Sequence, residues 1–326
     1  MNQTKRRILV TGATGLVGSA ILEVAKHNDY EANLECIGVS SKDADLRDYT
    51  QVTALISRYG KGGVDGIIHL AANVGGLFKN MQQPVEMLED NLIMNTNILK
   101  AAHAANINNV IMCLSTCIFP DALPSSAYPI DTTLLHAGPP HPSNAAYAHA
   151  KRMCDVATRA YQSQYNRRYF CVVPTNVYGP NDNFNLADAH VIPALIHKCW
   201  LAKQNGTDFM VAGNGTPLRQ FIYSEDLARL ILWTYTNYTE ISNPFIACPP
   251  NSEIPISTVV QKIAEEFGYA DHIVYDITKP NGQYKKTAQS TPLHVMDPTE
   301  YTNIATGLEK TIAWFVANVQ NGTARV

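Results

Sequence analysis

Residues 8–18 read Ile8-Leu9-Val10-Thr11-Gly12-Ala13-Thr14-Gly15-Leu16-Val17-Gly18. A short apolar run of strand type enters a turn with glycine at every third position, and helix-compatible residues follow. Gly12 permits a tight turn, Gly15 lets the backbone approach a pyrophosphate, and Gly18 allows the helix to lie close to the strand. The helix N-terminus attracts the phosphates. Glycines alone mark any turn. A first strand, a glycine loop and a helix in that order form the context that a dinucleotide site requires.

The same alternation continues along the chain. Apolar runs of strand length lie at 8–10, 34–39, 66–70, 110–115 and 169–174, with helical stretches at 17–27, 51–59, 84–106 and 146–164 between them. In the third helix Val85, Leu88, Leu92, Leu99 and Ala102 fall on roughly one face. This order predicts an α/β fold, a Rossmann-type doubly wound parallel sheet with ligands beyond the carboxyl ends of its strands. Past Thr175 the pattern turns irregular, with Pro- and Asn-rich segments at 179–185, 249–255 and 279–283. A smaller α/β substrate lobe is expected there. The predicted division is 1–176 for the dinucleotide domain, with returns near 217–245 and 292–326, and 177–216 plus 246–291 for the lobe.

Composition narrows the class. Asp, Glu, Lys and Arg make up 16% of 326 residues and apolar types 46%, the reverse of a disordered chain. A net charge of −3 with scattered cations offers no stripe for nucleic acid. The longest apolar runs fall far short of the ~18 residues of a membrane helix. Lys5-Arg6-Arg7 precedes only three apolar residues before the Thr11-Gly12 break, so no signal peptide is expected. The seven cysteines are odd in number and contain no CxxC, which reads as reduced cytoplasmic thiols. No His/Cys/Asp spacing suggests a metal site.

The end of the second strand points to the cofactor. An acid there would bind the ribose 2′-hydroxyl of NAD. This chain has Ser40-Ser41-Lys42, two hydroxyls and a cation suited to a 2′-phosphate, so NADPH/NADP+ is expected.

The fourth strand runs into Ser115-Thr116-Cys117, and Tyr147 and Lys151 lie one turn apart in a helical stretch. A lysine beside a phenol lowers its pKa and readies it for proton exchange, and Ser115 can bond a substrate carbonyl. The spacing alone says little. With 16 Tyr and 14 Lys in 326 residues, chance gives roughly 0.7 such pairs. Tyr275 and Lys279 form a second pair, beside Pro280 in a loop or strand where the spacing implies no shared face. Only Tyr147 and Lys151 combine a helix, a serine at a strand end and a glycine loop.

The glycine loop, Ser115 and Tyr147-x-x-x-Lys151 resemble the extended short-chain dehydrogenase/reductase superfamily. Longer stretches resemble its GDP-L-fucose synthase family: Ser40 to Leu46, His69 to Leu77, Leu114 to Pro120, Pro174 to Pro180, His190 to Pro193 and Arg219 to Ile222. The likeness runs from about Ile8 to Phe315. It implies NADPH-dependent conversion of GDP-4-keto-6-deoxy-D-mannose to GDP-L-fucose by epimerisation of the third and fifth sugar carbons and reduction of the 4-ketone. One carbonyl serves both parts, because it acidifies the hydrogens on both neighbouring carbons and accepts hydride.

In that resemblance Tyr147, Lys151 and Ser115 carry the reduction, and Cys117 and His190 are the base and acid of epimerisation. It implies cofactor contacts from Gly12, Thr14, Gly15, Leu16, Val17, Gly18, Ser40, Ser41, Lys42, Asp45 and Leu46. Leu70, Ala71, Ala72, Tyr147, Lys151, Pro174, Asn176, Val177 and His190 complete that set. Substrate contacts fall on Ser115, Thr116, Cys117, Asn176, Lys198, Arg219 and Asn281, and a homodimer on the helices near 84–106 and 146–164. The chain departs from the family at Ala212, commonly Trp, and at Asn281, commonly Asp, which puts nucleotide-sugar selectivity in question. His69 and His149 are read as structural. Two other readings stay open: a nucleotide-sugar 4-epimerase using bound NAD, and a catalytically silent cofactor-sensing protein on the same fold.

Overall fold

Successive residues of the central strands enter two different cores, the signature of a sheet covered on both faces. Ile8, Val10, Ile111, Phe170 and Val172 pack on one side, and Leu9, Val110, Met112, Tyr169, Cys171 and Val173 on the other. The computed structural model describes residues 5–27, 30, 33–59, 63–237, 244–279, 284–291 and 300–326. Its main sheet contains β1 (Arg6–Thr11), β2 (Leu34–Val39), β3 (Gly66–His69), β4 (Asn109–Cys113), β5 (Arg168–Pro174) and β9 (Phe245–Ala247). The order is β2-β1-β3-β4-β5-β9, all parallel. The order reverses between β1 and β3, so the crevice at their carboxyl ends is where a ligand is expected.

Helices α1 (Leu16–Val24), α2 (Tyr49–Ser57), the short α3 (Leu77–Gln82), α4 (Pro84–Ala104) and α5 (Ala145–Tyr165) connect the first five strands. The inward face of α4 differs from the expected one. Of the expected face Leu99 and Ala102 are buried, but Val85 is 57% exposed, and the buried stripe also runs through Met87, Asn91, Asn95 and Ile98. Two asparagines sit inside because each has partners. Asn91 bonds the backbone of Asn73 and Met87, and the Asn95 Oδ1 meets His69 Nε2 at 3.1 Å. An apolarity count cannot foresee that exchange.

The lobe holds a three-stranded sheet of β6 (Asn176–Tyr178), β8 (Leu218–Tyr223) and β10 (Glu253–Pro255), and a pair formed by β7 (Phe209–Ala212) and β11 (Ile273–Asp276). Helices α6 (Val191–Asn205), α8 (Ile256–Glu266) and α9 (Ile304–Gln320) share its core through Ile196, Val259, Ile263, Leu308 and Phe315. Two segments fall differently from the expected division. Leu218–Tyr223 is the middle strand of the lobe sheet, whereas α7 (Ser224–Asn237) and β9 return to the main sheet. Within 292–326, of which 292–299 lie outside the described residues, Tyr301 packs against the core of the main sheet and α9 packs into the lobe core.

Two glycines are dictated by space. Gly12 has φ +70°, and a Cβ there would lie 2.8 Å from the Ala71 nitrogen; a Cβ on Gly18 would lie 2.3 Å from the Gly12 carbonyl oxygen. The contact on each is backbone and cannot swing away. Gly18→Ala is therefore expected to destabilise the chain by about 1–3 kcal/mol, read as a lower urea midpoint with an unchanged slope. A midpoint equal to that of the native sequence would contradict the close seating of α1.

Candidate active site

The loops after β1, β3, β4 and β5 open on one cleft of about 720 Å³, within the usual range of ligand pockets. Of the residues expected to hold the cofactor, all except Lys42 line it. Ser115, Thr116, Tyr147 and Asn176 line it as well. Cys117 is buried beside Ser115, whose Oγ accepts the Cys117 N–H at 3.4 Å. Lys198 is exposed on α6, and Arg219 stands on β8 with its guanidinium donating to the Leu218 carbonyl. Neither is among the residues that line this cleft. Asn281 lies outside the described residues. Ala212 is the exposed last residue of β7, paired with Asp276 of β11.

At the phosphate end, Gly15 caps α1 in extended conformation with no side-chain cap bond. The first N–H groups of the helix are thus left for an anion. The loop is braced from below. Thr11 Oγ1 lies 2.8 Å from His69 Nδ1 and accepts from the Leu70 and Ala71 N–H groups, both at 3.2 Å. Burial holds the His69 pKa at about 3, so this ring stays neutral and structural.

The far end corrects one expectation. A turn closes from Ser40 to Asp43, and the Asp43 carboxylate takes both the N–H and the hydroxyl of Ser40, at 2.8 and 3.0 Å. Lys42 is turned to solvent. At this end Arg47 lines the cleft, held by Asp45 at 2.9 Å and Asp90 at 3.3 Å. No motif singles it out in the sequence; its place next to Asp45 and Leu46 was the available signal.

At the chemical end, α5 presents Tyr147 and Lys151 one turn apart. The Lys151 ammonium donates to the Cys113 carbonyl at 2.9 Å and is almost wholly buried. The expected lowering of the phenol is not what the surroundings produce. Burial, with the thiols of Cys117, Cys113 and Cys154 adding to it, pushes Tyr147 well above its ordinary value. Such a phenol keeps its proton and can give it to an oxygen that becomes a strong base. Burial likewise pushes the Cys117 thiol up, against Lys286, the Ser115 hydroxyl and Lys151. Desolvation outweighs the cations there. His190 is the N-cap of α6 and stands exposed on the cleft wall; desolvation lowers it from the ordinary imidazole value, while Asp188 acts the other way.

Lys286 escaped the sequence reading. It follows Lys285, which pairs outward with Glu253 at 3.4 Å, and side chains alternate along such an extended segment. Lys286 acts instead on Cys117 and Arg219. A tandem lysine in an extended run was the only clue.

Residues 8–246 match the model of the NAD dependent epimerase/dehydratase family. The chain belongs to this family. Within it, a GDP-L-fucose synthase of Dictyostelium discoideum is 43% identical over 323 residues, covering 99% of this chain and 98% of the relative. The crystal structure of a GDP-L-fucose synthetase from Naegleria fowleri bound to NADP superposes with a TM-score of 0.90 at 42% identity, covering 100% of this chain and 97% of that one. A UDP-glucose 4-epimerase from Thermotoga maritima gives 0.75 at 18% identity, covering 96% of this chain and 99% of that one, and shares the fold alone.

For a family member whose cleft ends at Ser40, Ser41 and Arg47, Arg47→Ala should weaken NADPH about tenfold and leave NADH unchanged. That is the size of a charge-assisted bond at a partly exposed site. Fluorescence titration of both dinucleotides checks it, and an equal effect on the two would contradict the assignment.

Proposed function

We propose that this chain converts GDP-4-keto-6-deoxy-D-mannose to GDP-L-fucose with NADPH, epimerising the third and fifth sugar carbons and reducing the 4-ketone. The observation that carries the reading is a full-length likeness to GDP-L-fucose synthases at 42–43% identity. The cleft supports it by gathering Ser115, Tyr147, Lys151 and His190 on its walls, with Cys117 beside Ser115.

The residues present suit a dinucleotide with a 2′-phosphate. The uncapped α1 N-terminus and the glycine loop would take the pyrophosphate, Ser40, Ser41 and Arg47 the 2′-phosphate, and Tyr147 and Lys151 the nicotinamide ribose. When bound, the cofactor supplies hydride to the ketone carbon. Ser115 holds the ketone oxygen, and Tyr147 gives its proton to that oxygen, completing the alcohol. Burial keeps that proton on the phenol until then. Lys151, fixed on the Cys113 carbonyl, keeps a positive charge near the oxygen where negative charge develops. For epimerisation, the thiolate form of Cys117 removes the proton beside the ketone and the imidazolium form of His190 returns one from the opposite face. Desolvation disfavours both of these forms. Lys286 and Lys151 offset part of the cost of forming a buried thiolate. Lys198 and Arg219 are the proposed diphosphate contacts.

The rival 4-epimerase shares with this chain only the fold. It has no use for Cys117 or His190 and leaves NADPH unconsumed. A silent cofactor sensor does not require Ser115, Tyr147 and Lys151 together.

A homodimer is part of the proposal. Helices α4 and α5 lie side by side and leave Ile93, Met153 and Val156 43–47% exposed, apolar surface of the kind an isologous contact covers. A monomer in sedimentation velocity would contradict it. A cytoplasmic setting agrees with seven free thiols. Among the described residues no helix is long and apolar enough to cross a membrane.

Two variants separate the half-reactions. Tyr147→Phe should abolish NADPH oxidation yet still incorporate solvent deuterium into the keto sugar. Cys117→Ala should incorporate none. Full deuterium entry in the Cys117 variant would overturn the base assignment.

A further inference from the structure

His190 has to carry a positive charge in an unfavourable place. It caps the N-terminus of α6, a helix of 15 residues, without a side-chain cap bond. The positive end of the helix dipole disfavours a cation there, and desolvation acts in the same sense. The imidazolium that returns a proton in epimerisation therefore needs an opposing charge. Among the described residues, the group that acts on the ring in that sense is Asp188.

Asp188 stands two residues before His190, and both line the cleft. Its backbone is held on two sides. The Asp188 and Ala189 N–H groups bond the Asn185 carbonyl at 3.1 and 2.7 Å, and the Asp188 carbonyl accepts the Gly76 N–H at 2.9 Å from the loop after β3. Its carboxylate is held by Asn183, whose Nδ2 donates to Asp188 Oδ1 at 2.8 Å. Asn183 Oδ1 accepts the Asn185 N–H at 3.1 Å, so the amide is oriented with its donors toward the acid. Asn183 is in turn fastened to a distant segment. It pairs with Arg325 in a β-bridge, the Phe184 N–H bonds the Arg325 carbonyl at 2.8 Å, and the Arg325 guanidinium donates to the Asn181 carbonyl. His197 Nδ1 lies 2.8 Å from the Phe184 carbonyl and ties the same loop to α6. Among the described residues no lysine or arginine pairs with Asp188, so its charge is left to act on the ring.

We propose that Asp188 is a positioning residue for His190: its carboxylate, aimed by Asn183, stabilises the imidazolium that returns the proton in epimerisation. This rests on the reaction proposed above. In that step the Cys117 thiolate takes the proton beside the ketone, and the imidazolium gives its N–H proton to the other face of the same carbon. The imidazole is left neutral, the thiol keeps the proton it took, and exchange with solvent resets both. Asp188 acts through His190 and not on the sugar. The other charged or titratable groups around His190 are Asp182 and Arg325 in the same wall, Tyr147 and Lys151 of α5, and Lys79 of α3, which donates to the Val74 carbonyl at 3.1 Å. Burial raises Asp182 to about 7, opposed by the Asn183 N–H and Arg325. Its titration is common to the native sequence and to a variant at Asp188, so the difference between them reads Asp188.

A carboxylate beside an imidazole favours the protonated ring, so inversion should persist to higher pH with Asp188 than without it. Incubation with the keto sugar and NADP+ in deuterium oxide leaves reduction out and gives two readings. Deuterium entry at the carbons flanking the ketone needs Cys117 alone, and inversion at those carbons also needs His190. Asp188→Asn retains the bond from Asn183 and removes the charge. Inversion should fall about tenfold at neutral pH, and its high-pH limb should lie about one pH unit lower. Deuterium entry and the thermal midpoint should hold. Asp188→Glu, which returns the charge, should restore the limb. Asn183→Ala should move the limb in the same direction as Asp188→Asn, and the double variant should be no worse than Asp188→Asn, because both act through one charge. A merely structural role would lower deuterium entry and inversion together at every pH. That outcome, or an unmoved limb in Asp188→Asn, overturns the assignment of Asp188 alone. A native chain that neither exchanges nor inverts the keto sugar overturns the functional reading and this assignment with it.

Discussion

The first turn of α1 is seated so closely on the end of β1 that the Gly12 carbonyl occupies the space of a Gly18 side chain. The cleft depends on that contact. It places the uncapped helix N-terminus over the reversal between β1 and β3. The Thr11–His69–Asn95 chain of bonds then ties the two strand ends and α4 together. A neutral, buried imidazole serves here as a spacer with one donor and one acceptor, which a charged ring could not do. The loops after β3 and β4 are thereby held at fixed distance from the glycine loop.

Desolvation governs the chemical end. Tyr147 and Cys117 are pushed toward their protonated forms and His190 toward its neutral form. The low overall charge of the chain conceals buried cations, Lys151 and Arg152, only 3% and 6% exposed. Among the described residues each is fastened to backbone carbonyls and not to acids. Arg152 bonds the carbonyls of Ile118 and Gly138 at 2.6 and 2.8 Å, so it pins the loop that carries Cys117. Charge is thus stored beside the reacting groups without being cancelled by a carboxylate.

What the sequence revealed follows from locality. The glycine loop, the strand–helix alternation and the Tyr147–Lys151 turn are short-range patterns, and the sheet order built on them is observed. The Tyr275–Lys279 pair shows why context mattered, since Tyr275 sits in β11 and Lys279 follows in a turn. The misplaced face of α4 came from counting apolar residues where Asn91 and Asn95 carry the inward bonds. That Arg47 and not Lys42 lines the cleft goes with the Ser40–Asp43 turn, which is invisible as a string of letters. Lys286 beside Cys117 and Arg325 beside Asp182 join segments distant in the chain, and no local spacing encodes them.

The central claim is that one ketone serves both proton exchange and hydride acceptance in one cleft. The native sequence, incubated in deuterium oxide with GDP-4-keto-6-deoxy-D-mannose and NADPH, tests it by product stoichiometry. The account predicts one NADPH oxidised per sugar and deuterium at both carbons flanking the former ketone. Reduction without deuterium at those carbons, or a 4-epimer formed with no net NADPH consumed, would contradict it.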